Sequence, residues 1–347
     1  MLRLSDFQYE LPPDRIAQQP ADRREEARMM IVDRAATGIR HGRFADLPAE
    51  LRSDDLLVLN DTRVIPARLF GVKAGGGAAV ELLLLRRLDG GTWKAMVRPG
   101  RRLRDGAEIR LPGGARARVT GAFDDGTRAV ALDTPKPLDD YLDSHGATPL
   151  PPYIERAGRQ DEAFHRRRYQ TVYARDPGSV AAPTAGLHFT PEVLDRLSRQ
   201  GVETVCLTLH VGLGTFKPVQ VEDITRHQMD PEAYTLSRDA AARIQAARET
   251  GRRVVAVGTT VTRTLEHLAR SQDGRIGAGS GWTSLFIVPG HEFRVVGALL
   301  TNFHLPGSTL LMLVAALAGR EFILSCYREA VDAGYRFYSY GDCMLIV

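Results

Sequence analysis

From about Val64 to Asp133 apolar and polar positions alternate in short runs: "AVELLLLRRL", "TWKAMVR", "AEIRL", "ARARVTGAF" and "RAVALD". Gly/Asp clusters ("LDGG", "RDG", "PGG", "DDG") separate them. Short strands of regular spacing with turn signals predict a small antiparallel barrel or sandwich. "TPKPLDDYLDSHGATPLPPYI" then reads as a short helix and a proline-rich exit. Beyond it the period changes. "ETVCLTLHV", "RRVVAVG", "TSLFIVP", "VVGALLTNF" and "CMLIV" read as strands. Between them lie helical patterns from Pro191, from Ser237 to about Thr250, in "VTRTLEHLAR", after Ser308 and in "EFILSCYREAVDAG". Near the N-terminus "DDLLVLND" reads as one more strand of the same buried sheet. The pattern predicts a mixed α/β domain, residues 1–62 and 154–347, interrupted by an inserted β-barrel domain, residues 63–153.

One stretch resists this reading. In "SVAAPTAGLHFTPEVLDRL", Thr190 is a good N-cap, Pro191 fits the first helical position and Glu192 suits the positive helix end. Ala181 to Phe189 shows neither helical period, strand alternation nor plain turn composition. It is either a tight connection, where small residues let backbones approach, or a functional loop.

Composition narrows the class. The 347 residues are 44% hydrophobic and 25% charged, as in ordinary globular proteins. No apolar run has the length of a bilayer span, and "STLLMLVAALAG" fits a buried helix. The N-terminus carries acids and prolines where a signal peptide needs an apolar core, so a cytoplasmic location is expected, with no membrane partner. Cys206, Cys326 and Cys343 match no metal or disulfide spacing and read as buried thiols. A net charge of +4 permits an anionic partner without demanding one.

Candidate chemistry gathers where predicted strands end. "HVGLGTFKP" has the glycines of a nucleotide loop, but Lys217-Pro218 and "VQVEDI" follow instead of a helix. A dinucleotide or methyltransferase loop is therefore rejected, though Gly212 and Gly214 still allow close approach. In "VVAVGTTVTRTLEHL" a strand ends at Gly258, and Thr259 and Thr260 open a helix, either as caps or as an anion-binding turn. "NDTRVIPARL" places Asn60, Asp61 and Arg63 at a strand end, as ligand groups or as an Asx turn with an ion pair. His227 and Asp230 of "HQMDPEAYTLS" lack a third group for a metal, and Asp230 before Pro231 also suits a cap. "TNFHLPGST" sets Asn302 and His304 between strand and helix. His188, His210, His227 and His304 all fall at element ends or in loops, which favours a site. "AFHRRRYQTVYAR" interleaves Arg166, Arg167 and Arg168 with Tyr169 and Tyr173, as a nucleic-acid surface or a solvated basic face.

Together these segments resemble one family, the S-adenosylmethionine:tRNA ribosyltransferase-isomerases of queuosine biosynthesis. The resemblance runs in order through "FQYELPPDRIAQQPADRR", "VLNDTRVIPARL", "RYQTVYAR", "GSVAAPTAGLHFT", "LHVGLGTFKPV", "HQMDPEAY", "VVAVGTTVTRTLE", "TNFHLPGSTLLMLV" and "GYRFYSYGDCMLI". The inserted segment matches least. The resemblance implies an α/β domain with an inserted β-barrel. It also implies transfer of the ribosyl part of S-adenosyl-L-methionine to 7-aminomethyl-7-deazaguanine at the wobble position of tRNA. Epoxyqueuosine forms, and adenine and methionine leave. It makes "APTAGLHFT" a cofactor and reaction loop, with Thr184, His188 and Thr190 as polar groups. The expected S-adenosylmethionine contacts are Thr184, Gly186, Gly212, Gly214, Gly258, Thr259, Thr260, Asn302 and His304. Those to tRNA are Asn60, Arg63, Arg166, Arg167, Arg168, Tyr169 and Tyr173. The sulfonium acidifies the adjacent 5′ hydrogens and makes methionine a good leaving group. The reaction therefore needs a base, an acid near the departing adenine and a neutral amine. Proton transfer is assigned to His188 or His227, with Asp61 and Asp230 nearby. No metal is called for, and a monomer is expected. The alternatives are an S-adenosylmethionine-dependent RNA methyltransferase and a non-catalytic RNA-binding protein.

Overall fold

The computed structural model describes residues 2–154, 162–212, 214 and 219–347. Nine strands form one sheet, in the order Gly279–Thr283, Glu232–Leu236, Glu203–Leu209, Leu56–Asn60, Val254–Val257, Val296–Asn302, Cys343–Ile346, Arg28–Asp33 and Gly38–Arg43. The third to sixth of these run parallel. Their residues alternate between two covered faces. Leu56, Val58, Val205 and Val254 pack under Ile244, Leu265 and Met312, whereas Leu57, Leu59, Val255 and Val257 pack under Phe44, Phe189, Val193 and Leu197. Burial on both faces is why these strands read as continuous apolar runs. The helices Pro191–Arg199, Arg238–Glu249 and Thr309–Ala318 start as expected, with Thr190, Ser237 and Ser308 side chains accepting from Val193, Ala240 and Leu311 amides.

Six antiparallel strands between Arg68 and Asp133 close into a barrel. Helix Leu138–His145 packs on it through Tyr141 and Leu142. Thr62–Val64 pairs in parallel with Asp176–Ser179 to form a neck between barrel and sheet. Arg68 and Ala147 exchange backbone hydrogen bonds just beyond it.

The structure corrects the element reading in three places. "TSLFIVP" is not a strand: the edge strand is Gly279–Thr283, and the Leu285 amide and carbonyl bond to the Thr283 hydroxyl and Arg263 Nε, not to a neighbouring strand. Asp230-Pro231 precedes the strand Glu232–Leu236, so Asp230 caps no helix. The hairpin Arg28–Asp33/Gly38–Arg43 was not anticipated. Among the described residues no single helix is long and apolar enough to cross a membrane.

Candidate active site

The four parallel strands end on one edge of the sheet, where open α/β folds present ligand groups. There the turn Thr184–His188 crosses the strand ends. A small cavity of about 40 Å³ is lined by Thr184, Gly258, Thr259, Thr260, Asn302 and His304, six of the expected S-adenosylmethionine contacts, together with Tyr338 and Ser339. Gly258 has φ 92°, so a side chain there would be strained, and a Cβ would meet Ala185 at 3.7 Å. Gly258, not a threonine, occupies the cap of helix Thr259–Ser271, and no side chain caps that end. Thr260 Oγ1 instead lies 3.4 Å from Asn60 Nδ2.

His188 sits beside this cavity, only 5% exposed. Its Nε2 lies 3.3 Å from Asn302 Nδ2, and its ring packs on Phe44. Burial, aided by the Arg336 and Arg24 charges, pushes its pKa down to about 3. The ring is neutral, as a base requires, but so low a pKa makes it a poor proton acceptor at neutral pH. Burial also takes His304 down to about 3. Both folded-state pKa values lie below the ordinary 6.5, so the unfolded chain binds more protons between these limits. Stability is therefore expected to fall as pH drops from about 6.5 toward 3, by on the order of 1 kcal/mol per pH unit per ring. Urea unfolding at pH 7 and pH 5 checks this, with His304→Gln expected to flatten the dependence.

A larger cavity of about 700 Å³ opens between sheet and barrel. His210, Gly212, Gly214, Asp230 and Glu232 line one side; Arg86, Trp93, Lys94 and Met96 of the barrel line the other. Val211 borders both cavities. His210 is anchored by its Nδ1, 2.8 Å from Thr62 Oγ1. Its ring lies flat against Gly178, where a Cβ would come within 2.8 Å of it. Burial lowers its pKa, opposed by Asp176 and Asp61. Glu232 accepts the Gly212 amide at 3.0 Å and pairs with Arg263 at 2.5 Å, both side chains being buried. Gly214 lies against Asp230, leaving no room for a Cβ. Residues 213 and 215–218, including Lys217-Pro218, lie outside the described residues.

Other expected contacts are placed elsewhere. Asn60 is occupied with the Leu209 amide and carbonyl at 3.0 Å each. Asp61 is buried, accepts from Thr208 at 2.6 Å and pairs with Arg175 at 2.8 Å. Burial raises its pKa against those two partners. Neither borders the two cavities; they lock the strand end. His227 packs edge-on against Phe286, away from both linings. Gly186 makes room for the Tyr173 hydroxyl rather than for a ligand. Tyr169 is 1% exposed and packs on Tyr340, so it is not presented for base stacking. Arg166 donates to the Asp143 and Gly146 carbonyls, and Arg168 to those of Ala21 and Asp22. Arg167 and Arg63 are exposed, Arg63 facing a groove shared with Arg166. Missed from the sequence were the Glu232–Arg263 pair, which is far apart in the chain, and Trp282. Among the described residues no three His, Cys, Asp or Glu side chains are grouped to hold a metal.

The family described as "Queuosine biosynthesis protein" matches residues 4–346. S-adenosylmethionine:tRNA ribosyltransferase-isomerases from Moorella thermoacetica and Symbiobacterium thermophilum are 53% and 52% identical, each over the full length of both chains. The crystal structure of an S-adenosylmethionine tRNA ribosyltransferase from Thermotoga maritima is similar with a TM-score of 0.56 and 38% identity, covering 99% of this chain and 100% of that one. With matches of this length and identity, the chain belongs to the S-adenosylmethionine:tRNA ribosyltransferase-isomerases of queuosine biosynthesis.

Proposed function

We propose that this chain transfers and isomerises the ribosyl group of S-adenosylmethionine onto 7-aminomethyl-7-deazaguanine at the tRNA wobble position. Epoxyqueuosine-tRNA, adenine and methionine are the products. The observation that carries this reading is the pair of adjoining cavities. One is small, at the strand ends, with Thr259, Thr260, Asn302 and His304 among its lining, and the other is large between the domains, with Val211 bordering both. In this reading one end of the donor is held at the small cavity, its polar groups met by Thr259, Thr260, Asn302 and the amides of the helix end. The flipped base enters the interdomain cavity. His210, held neutral by burial and oriented through Thr62, takes a proton there, and Asp230 serves as the acid. His188 positions the Thr184–His188 turn. The described lining of both cavities comes from one chain, and in this reading the enzyme acts as a monomer in the cytoplasm.

Incubation with S-adenosylmethionine and precursor tRNA should release adenine and methionine. Release of S-adenosylhomocysteine instead would mark a methyltransferase, and binding without turnover an RNA-binding protein. Replacing Arg63 and Arg167 with alanine should weaken tRNA binding and lower its salt dependence by up to about two phosphate contacts. Donor binding should not change. An unaltered salt slope would remove these side chains from the RNA surface.

A further inference from the structure

Among the described residues Trp282 is the most exposed of the large apolar side chains, at 50%. It lies on the outermost strand of the sheet and lines the interdomain cavity. Its register is informative. Trp282 pairs with Ala233, and the Ala233 carbonyl accepts the His210 amide. The three residues thus form one cross-strand row, and all three line the cavity. Side chains opposite one another in a ladder share a face, so imidazole and indole stand about 10 Å apart, two strand spacings, with only a methyl group between them.

The barrel supplies charge on the other side. The Arg86 guanidinium lies over the Trp282 ring at 5.3 Å, and that of Arg87 over Trp93 at 5.6 Å. Neither arginine has a carboxylate partner among the described residues. An exposed indole with Arg86 at its ring, and Arg87 lining the same cavity, is a poor structural investment but a good surface for an unpaired base and its phosphates.

We propose that Trp282 is a stacking platform for an unpaired nucleobase of the RNA loop, adjacent to the base that reacts, with Arg86 and Arg87 meeting the intervening phosphates. This rests on the ribosyl-transfer reading only for the identity of the RNA. The base is held by its face, so the platform is indifferent to its identity and orders the loop rather than reading it. The rival is a latch in which Arg86 and Trp282 merely tie barrel to sheet.

The chain has two tryptophans, so Trp93→Phe leaves Trp282 as the sole indole reporter. An unreactive anticodon stem–loop with guanine at the reacting position should quench its fluorescence saturably, without S-adenosylmethionine present. Binding by filter retention without a fluorescence change would overturn the platform. In an otherwise intact chain, Trp282→Ala should raise the KM for tRNA between about five- and a hundred-fold. The KM for S-adenosylmethionine should stay within about two-fold, and Trp282→Phe should recover most of the loss. Unchanged tRNA KM, or parallel changes in donor KM and thermal midpoint without rescue by Phe, would overturn it in favour of the latch. Wild-type enzyme that quenches but releases no adenine would defeat the assigned reaction and leave the platform standing.

Discussion

Replacing His210 with alanine is expected to lower turnover by about two orders of magnitude or more, while the chain still folds and binds both substrates. The ring is the histidine of the large cavity. Thr62 fixes its Nδ1, leaving Nε2 as the working nitrogen. Partial burial lowers the pKa, so the ring enters the reaction neutral. The acid limb of kcat/KM should accordingly lie below the ordinary histidine value of about 6.5, because activity is lost only as His210 protonates. Asp176 and Asp61 pull the other way, and weakening either charge should move the limb further down. Thr62→Val should retain the fold but reduce kcat through a loosened ring. His188→Ala should behave differently. Its neighbours Asn302 and Phe44 predict joint losses of donor affinity and thermal stability. A His210→Ala enzyme with near-normal turnover would exclude this ring from the proton transfer.

Arg263→Leu should cost about 3–5 kcal/mol of folding stability, measured by urea unfolding, because it strands a buried carboxylate. Arg263 Nη1 is 2.5 Å from Glu232, and its Nε holds the Leu285 carbonyl at 3.0 Å. Glu232 in turn fixes the Gly212 amide at the cavity wall. The double variant Arg263→Leu/Glu232→Leu removes both charges and should recover part of the loss. Equal losses in single and double variants would show that the carbonyl and amide contacts, not the charges, carry the effect.

The barrel and the parallel core were legible because their patterns are local: two-fold alternation between glycine turns in one, doubly buried apolar runs in the other. Leu56–Asn60 was recognisable on that ground alone. The strand Glu232–Leu236, one in from the edge, was not, since its mixed polarity resembles a loop. Gly258, Thr259, Asn302 and His304 stand out in the sequence because each lies at or just past a strand end, and the fold brings the four together around the small cavity. Asn60 and Asp61 share that position, yet their side chains close the strand end on itself through Leu209 and Thr208. Sequence shows which polar groups stand at an edge, not which are already occupied. Tyr169 differs for a related reason: alternation with arginine suggests exposure, but the arginines turn back onto carbonyls and the ring packs inward against Tyr340.

The neck has a consequence for how the chain acquires its structure. Pairing Thr62–Val64 with Asp176–Ser179 requires two segments far apart in sequence to meet, and in an open chain that closure is entropically costly. The barrel returns the chain to its point of departure, since Arg68 and Ala147 are mutual backbone partners. Once the Arg68–Ala147 contact has formed, the loop left to close comprises only residues 62–68 and 147–176. Barrel formation should thus precede the neck, and lesions deep in the barrel, such as at Leu82 or Val130, should slow refolding of the whole chain. A ligand site assembled between the two domains is then among the last features to appear, so productive binding reports on the completion of both.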